Sequence, residues 1–174
     1  VRAAKLDIAD FEPYALFGDE CYRRNLVHAS PAYHMLLLCW KPGQRSPIHD
    51  HHGSACCVQV LQGRATEVVF DRSDCGLVYP TETRRFSVGQ VCGSFDSDMH
   101  QMGNLEAKGN LASLHIYSPP LLTMRTFHLG DAVHGEFGDR PAGARAAQAR
   151  AARASSNTEV SRRANSRRKR AVHV

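Results

Sequence analysis

Residues 56–70 read CCVQVLQ, then Gly63, then RATEVVF: two short runs rich in β-formers that meet at a single glycine. Runs of this length, punctuated by glycine, suit strands better than helices, and the pair is expected to close as a hairpin across Gly63. The same texture recurs along the chain. CYRRNLVHAS (21–30) reads as a strand with Tyr22, Arg24 and Leu26 on one face. YHMLLLCW (33–40) is a continuous apolar run typical of a buried strand, and Lys41-Pro42-Gly43 closes it as a turn. FSVGQVCGSF (86–95) gives two strand pieces broken at Gly89 and Gly93. NLASLHIY (110–117) is a clear strand ended by Ser118-Pro119-Pro120, and residues 121–128 give one more. Residues 71–85 are polar and are expected to be irregular, while residues 6–20 suit a short helix and a loop broken by Pro13. Many short strands with turn signals between them predict an all-β fold, best met by a jelly-roll barrel.

Length and charge divide the chain. Its 174 residues suffice for one domain with a sizeable core. The net charge of +5 is uneven. Residues 139–174 hold ten Arg/Lys against two Asp/Glu, so residues 1–138 are slightly acidic. We therefore expect a domain over 1–138 and a disordered basic tail over 139–174, whose Ala-Arg run has no apolar stripe to dock. SRRANSRRKR alone is a weak case for nucleic acid, and a solvated tail is the expectation. No apolar run is long enough for a membrane helix, and the start lacks the design of a secretory leader. The six cysteines show neither C-x2-C pairs nor a disulfide framework. Buried free thiols in a reducing cytoplasm are expected, with a monomer as the working state.

The chemistry concentrates in GQRSPIHDHHGSACCVQVLQG (43–63). On a strand, residues i and i+2 share a face, so His49 and His51 aim two imidazoles at one point. Neutral imidazoles suit iron, nickel, copper or zinc, and a third ligand is expected from His100 in SDMHQMGN. Asp50 and His52 point away from that pair. The chain has ten histidines, so an isolated H-x-H says little and the flanks decide. The spacing runs G-x5-H-x-H-x4-C-x6-G, then Gly89, His100 and Asn104 as G-x10-H-x3-N. This resembles the two-part pattern of the cupin superfamily. Cys56 replaces the usual glutamate ligand, and Phe95 and Ser97 replace the usual Pro and Gly. The resemblance implies a jelly-roll barrel, and the lost glutamate implies a site of three histidines.

CYRRNLV, SPIHDHHGSACCVQVLQG, MHQMGN and SLHIYSPP together resemble the cysteine dioxygenase family over about residues 21–127. The basic tail has no counterpart there, and both ends look shortened. The resemblance implies Fe(II) held by His49, His51 and His100, with L-cysteine and O2 as substrates and cysteine sulfinic acid as product. It puts the carboxylate-binding arginine at Arg24, where a guanidinium fork suits a carboxylate, and Tyr22 on the pocket wall. It also implies a hydrogen-bonded relay through Ser113, His115 and Tyr117, which share a strand face. No G-x-S-x-G elbow surrounds Ser113, which weighs against a serine nucleophile. A thioether crosslink between Cys56 and Tyr117 is implied for some members, with Cys57 as the register-shifted alternative. The Ser118-Pro119 bond is expected to be cis.

Two rival readings follow. A 3-mercaptopropionate dioxygenase would share the metal site, but relatives with that preference often carry glutamine where Arg24 stands. A non-catalytic metal-binding cupin would not need the Ser113-His115-Tyr117 set.

Overall fold

A computed structural model describes residues 5–96, 98–129 and, for the backbone, 131–138. The tail expected over 139–174 lies outside the described residues. Among the described residues, eleven strands form two antiparallel sheets. They are β1 (Arg23–Ala29), β2 (His34–Trp40), β3 (Ile48–His49), β4 (Ala55–Gln62), β5 (Arg64–Arg72) and β6 (Val78–Ser87). β7 (Val91–Phe95), β8 (Met99–Gly103), β9 (Leu111–Ser118), β10 (Thr123–His128) and β11 (Asp131–Gly138) complete them. One sheet runs β1-β2-β9-β4-β7, the other β11-β10-β3-β8-β5-β6. This is the all-β, jelly-roll arrangement expected from the strand spacing.

The interior lies between the sheets. Leu36, Leu38 and Trp40 of β2, Val58 and Val60 of β4, and Ala65 and Met102 of the opposite sheet form one buried cluster. Their alternation is the period-2 pattern of strands with one face on a core. The outer face of the first sheet is covered too. Leu37, Cys39, Leu61 and Leu114 pack under a short 3-10 helix, Ile8–Tyr14, through Phe11. That double coverage explains why YHMLLLCW is apolar without a break. Asp7 caps the helix by accepting from the backbone N–H of Ala9, and Pro13 lies inside its last turn.

The hairpin across Gly63 forms as expected. Gly63 has φ +75, and a Cβ there would lie 2.4 Å from the Asn110 carbonyl oxygen, so both conformation and space call for glycine. The Ser118-Pro119 peptide bond is cis.

The expectation of an irregular 71–85 needs correction. Val78–Ser87 is a strand that pairs with β5 from Arg64↔Ser87 to Arg72↔Val78. It forms the sheet edge, and most of its residues are exposed on both faces, so no hydrophobic alternation marks it. Pro80 is tolerated because an edge strand need not donate every N–H. Strand β11 was likewise unexpected. Among the described residues no helix is long and apolar enough to cross a membrane.

Candidate active site

Strands β1, β2, β3, β8 and β9 and one loop bring side chains to the interior of the barrel. His49 ends β3 and pairs directly with His100 of β8, so the two rings share the inward face. Their centroids lie 4.6 Å apart. His51 is not on a strand, as the H-x-H argument supposed. It lies just past β3 in a loop whose path is fixed by other means. Its backbone N–H donates to the Asp96 carbonyl, and the Asp96 carboxylate accepts from Gly53 N–H at 2.7 Å. Next to it, buried Asp50 points the opposite way and takes Arg125 Nε and Nη2 at 2.7 and 2.6 Å. The pinned loop returns the His51 ring to within 4.8 Å of His100, centroid to centroid.

These three histidines form a group whose ligand atoms lie within 4.8 Å of one another, all buried. Their hydrogen bonding suits a metal. His49 Nδ1 faces the Pro47 carbonyl oxygen at 3.0 Å, and His100 Nδ1 faces the Glu67 carboxylate at 2.7 Å, which leaves each Nε2 for another partner. His100 Nε2 and both ring nitrogens of His51 are buried without a hydrogen-bond partner. Orphaned imidazole nitrogens aimed at one point are what a bound cation would satisfy. Burial, with His100 and His51 adding to it, holds His49 well below the ordinary histidine range. Burial and His100 bring His51 down to about 3. Both rings are therefore neutral and ready to ligate near pH 7.

The pocket beside the histidines is lined by Tyr22, Arg24, Leu38, Trp40, His115 and Tyr117, among others. Tyr22 precedes β1 rather than lying in it, and stacks on Trp40 at 4.0 Å and 13°. Arg24, in β1, lies with its guanidinium 5.8 Å from the Tyr117 ring centroid and donates to Met124 Sδ at 3.6 Å. Leu26, on the same strand face, is exposed.

Ser113, His115 and Tyr117 alternate along β9 and are all buried. Ser113 Oγ is 2.9 Å from His115 Nε2, and Tyr117 Oη is 3.2 Å from His115 Nδ1. Burial, then the Arg24 charge, pushes His115 well below its ordinary range. Burial, then Cys56, pushes the Tyr117 hydroxyl well above its own. Cys56 is the direct cross-strand partner of Tyr117 and is raised as well, by burial and then by Cys92. Cys57 takes the other face of β4 and is half-buried. All six cysteines are free.

Sequence reasoning missed Glu67, Trp40 and Met124 as parts of this site. Glu67 left a trace: it is a carboxylate at an inward position of RATEVVF, where charged residues are rare.

A jelly-roll barrel with three inward histidines facing one point is a metal-binding cupin. The profile of the type I cysteine dioxygenases matches residues 1–129. The chain is 36% identical over 123 residues to cysteine dioxygenase type 1 of Danio rerio, covering 68% of this chain and 61% of that protein. It is 32% identical over 157 residues to the Homo sapiens protein of the same name, covering 83% of this chain and 78% of that one. Among solved structures, the cupin domain of Cnp3 from Schizosaccharomyces pombe aligns with a TM-score of 0.50 at 12% identity. That alignment covers 62% of this chain and 70% of that domain, a likeness of fold. The chain belongs to the cysteine dioxygenase type I family.

Proposed function

We propose that this protein is an Fe(II)-dependent thiol dioxygenase that oxidises L-cysteine with O2 to cysteine sulfinic acid. One observation carries the reading: His49, His100, Arg24 and Tyr117 line one small cavity, and the ligand atoms of His51 lie within 4.8 Å of those of His49 and His100. Family membership adds the chemistry of the named relatives.

His49, His51 and His100 would hold the iron. Bound there, Fe(II) supplies the Lewis acidity that favours a thiolate and the redox chemistry that O2 needs. The remaining work falls to the chain. Arg24 offers a charge-assisted hydrogen bond to the substrate carboxylate from a largely desolvated wall, which fixes how the thiol is presented. Tyr117 keeps its proton near neutral pH and offers a hydrogen bond into the pocket. His115, neutral and held by Ser113, orients that hydroxyl. Trp40, Leu38 and the Tyr22 ring exclude water. Both oxygen atoms of O2 end on sulfur, so no second reductant is required.

In this reading Cys56 is the thiol of a thioether crosslink to the Tyr117 ring. The S–C bond forms as S–H and ring C–H break, with O2 taking two electrons and two protons. Loss of two hydrogen masses from a peptide pair joining residues 56 and 117 would report it.

The deciding experiment is O2 uptake by the Fe(II)-loaded chain with L-cysteine, with the product identified by mass spectrometry. Stoichiometric cysteine sulfinate is expected. Turnover of 3-mercaptopropionate in its place would transfer the assignment to that thiol. Tight iron binding with neither thiol consumed would make the chain a non-catalytic metal-binding cupin and sink the proposal.

A further inference from the structure

We propose that Glu67 is a positioning residue of the metal centre, and that it returns to the site, through His100, the negative charge that the three-histidine set lacks. The inference rests on reading the triad as a metal site. It concerns a residue on β5 that does not itself line the pocket but hydrogen-bonds a proposed ligand, His100.

The geometry is specific. Met102 pairs with Glu67 and His100 pairs with Val69, so Glu67 and His100 are diagonal neighbours on the inward face. Glu67 Oε1 lies 2.7 Å from His100 Nδ1, and the Glu67 side chain is 3% exposed. Ser94 Oγ is near the same nitrogen, at 3.5 Å. The other carboxylate oxygen makes no hydrogen bond and has Arg84 Nη1 at 3.7 Å. Arg84 is 44% exposed and is also held by Glu82 Oε2 at 2.5 Å, so it is shared and partly hydrated.

A carboxylate this buried is costly unless something compensates it. One charge-assisted bond and a shared arginine at 3.7 Å compensate it weakly. A divalent cation on the far side of the His100 ring supplies what is missing. The carboxylate fixes the proton on Nδ1 and leaves Nε2 as the donor atom.

The three ligands are not equivalent in this respect. His49 has a neutral carbonyl behind it, His51 has no hydrogen-bond partner on either ring nitrogen, and only His100 has a carboxylate. Cys56 occupies the position at which the cupin pattern has a glutamate ligand. The chain thus keeps a carboxylate in the metal's field while leaving the coordination position it would have filled open to substrate.

The test uses the full apo chain under anaerobic conditions. Fe(II) affinity is read by competition with a chromophoric chelator, and Co(II) is added separately for its visible ligand-field spectrum. Glu67→Gln keeps the shape and an acceptor but removes the charge. It is expected to weaken Fe(II) binding about 10- to 100-fold and to shift the Co(II) bands, with Glu67→Asp recovering part of the affinity. Folding is checked by circular dichroism and apo thermal unfolding. A folded Glu67→Gln protein with wild-type Fe(II) affinity and an unchanged Co(II) spectrum overturns the proposal. Should Glu67→Gln not fold, Arg84→Gln probes the exposed end. Removing the competing cation is expected to tighten Fe(II) binding about two- to fivefold, and unchanged affinity overturns the proposal. A wild-type chain that binds neither metal ends the metal reading itself, and this inference with it.

Discussion

Trp40 Nε1 donates a hydrogen bond to Ser113 Oγ at 3.1 Å, across the β2–β9 ladder and inside the core. An indole N–H can only donate, so Ser113 accepts there and turns its own proton toward His115 Nε2. With the Ser113 proton directed at Nε2, the neutral imidazole would carry its own proton on Nδ1, donate to Tyr117 Oη, and leave the tyrosine proton to point away from these contacts. This assignment satisfies every atom of the chain of contacts. A tryptophan that also stacks on Tyr22 thus anchors the Ser113 end of these contacts.

Trp40→Phe tests this. It keeps an aromatic ring against Tyr22 but removes the donor. A stability loss of about 0.5–1.5 kcal/mol is expected from the missing bond. Turnover should fall about tenfold with little change in KM, because orientation rather than substrate binding is lost. An unchanged kcat would show that the relay does not depend on Trp40.

Arg24 carries the argument for a carboxylate-bearing substrate. If Arg24 holds the substrate carboxylate as proposed, Arg24→Ala would remove a charge-assisted hydrogen bond of about 1.5–3 kcal/mol, and KM for L-cysteine should rise about 10- to 100-fold. Cysteamine, which has the thiol and amine but no carboxylate, should be insensitive to the same substitution. Equal effects on both thiols would mean that Arg24 acts only through its packing on Tyr117 and Met124.

The convergence of the histidines and the contacts along Ser113, His115 and Tyr117 were legible because each is a local pattern. His49 and His51 sit two apart, and Ser113, His115 and Tyr117 alternate on one strand. The barrel was legible because its central strands are apolar and glycine-punctuated. Strand β6 was not, because an edge exposed on both faces carries no period for the eye to find. The path of His51 was misread for a related reason. Its convergence on the site comes from Asp96, more than forty residues on, and not from a strand. Glu67 and Trp40 reach the site through pairing across strands far apart in sequence, which spacing cannot express.

Asp50 lies between two ligands and is 1% exposed, with its carboxylate held by half-exposed Arg125. Arg125→Met leaves that charge buried without its partner. The solvent around Arg125 screens the pair, so we expect a loss of about 1–3 kcal/mol rather than the full cost of an interior charge. Denaturant unfolding of the apo chain measures it. Because Asp50 flanks His49 and His51, Fe(II) affinity should fall in the same variant, whereas the exposed Arg72→Met should leave it unchanged.

Acid should destabilise the apo fold through its buried histidines. His49, His51 and His115 are all held below the ordinary value, chiefly by burial. Their folded-state pKa values therefore lie under the unfolded value of about 6.5. Between those limits the unfolded chain binds more protons than the folded one, so stability is intact above about pH 6.5 and falls as pH drops. For His51 the window extends down to about 3. Each such histidine contributes a slope of up to about 1.4 kcal/mol per pH unit. The melting temperature of the apo chain should thus drop steadily from pH 7 to pH 5. His115→Gln removes one of the three groups and should flatten the combined dependence by about a third without touching His49, His51 or His100. A wild-type melting temperature constant over this range would mean that the histidines are solvated or protonated in the folded state, contrary to their burial.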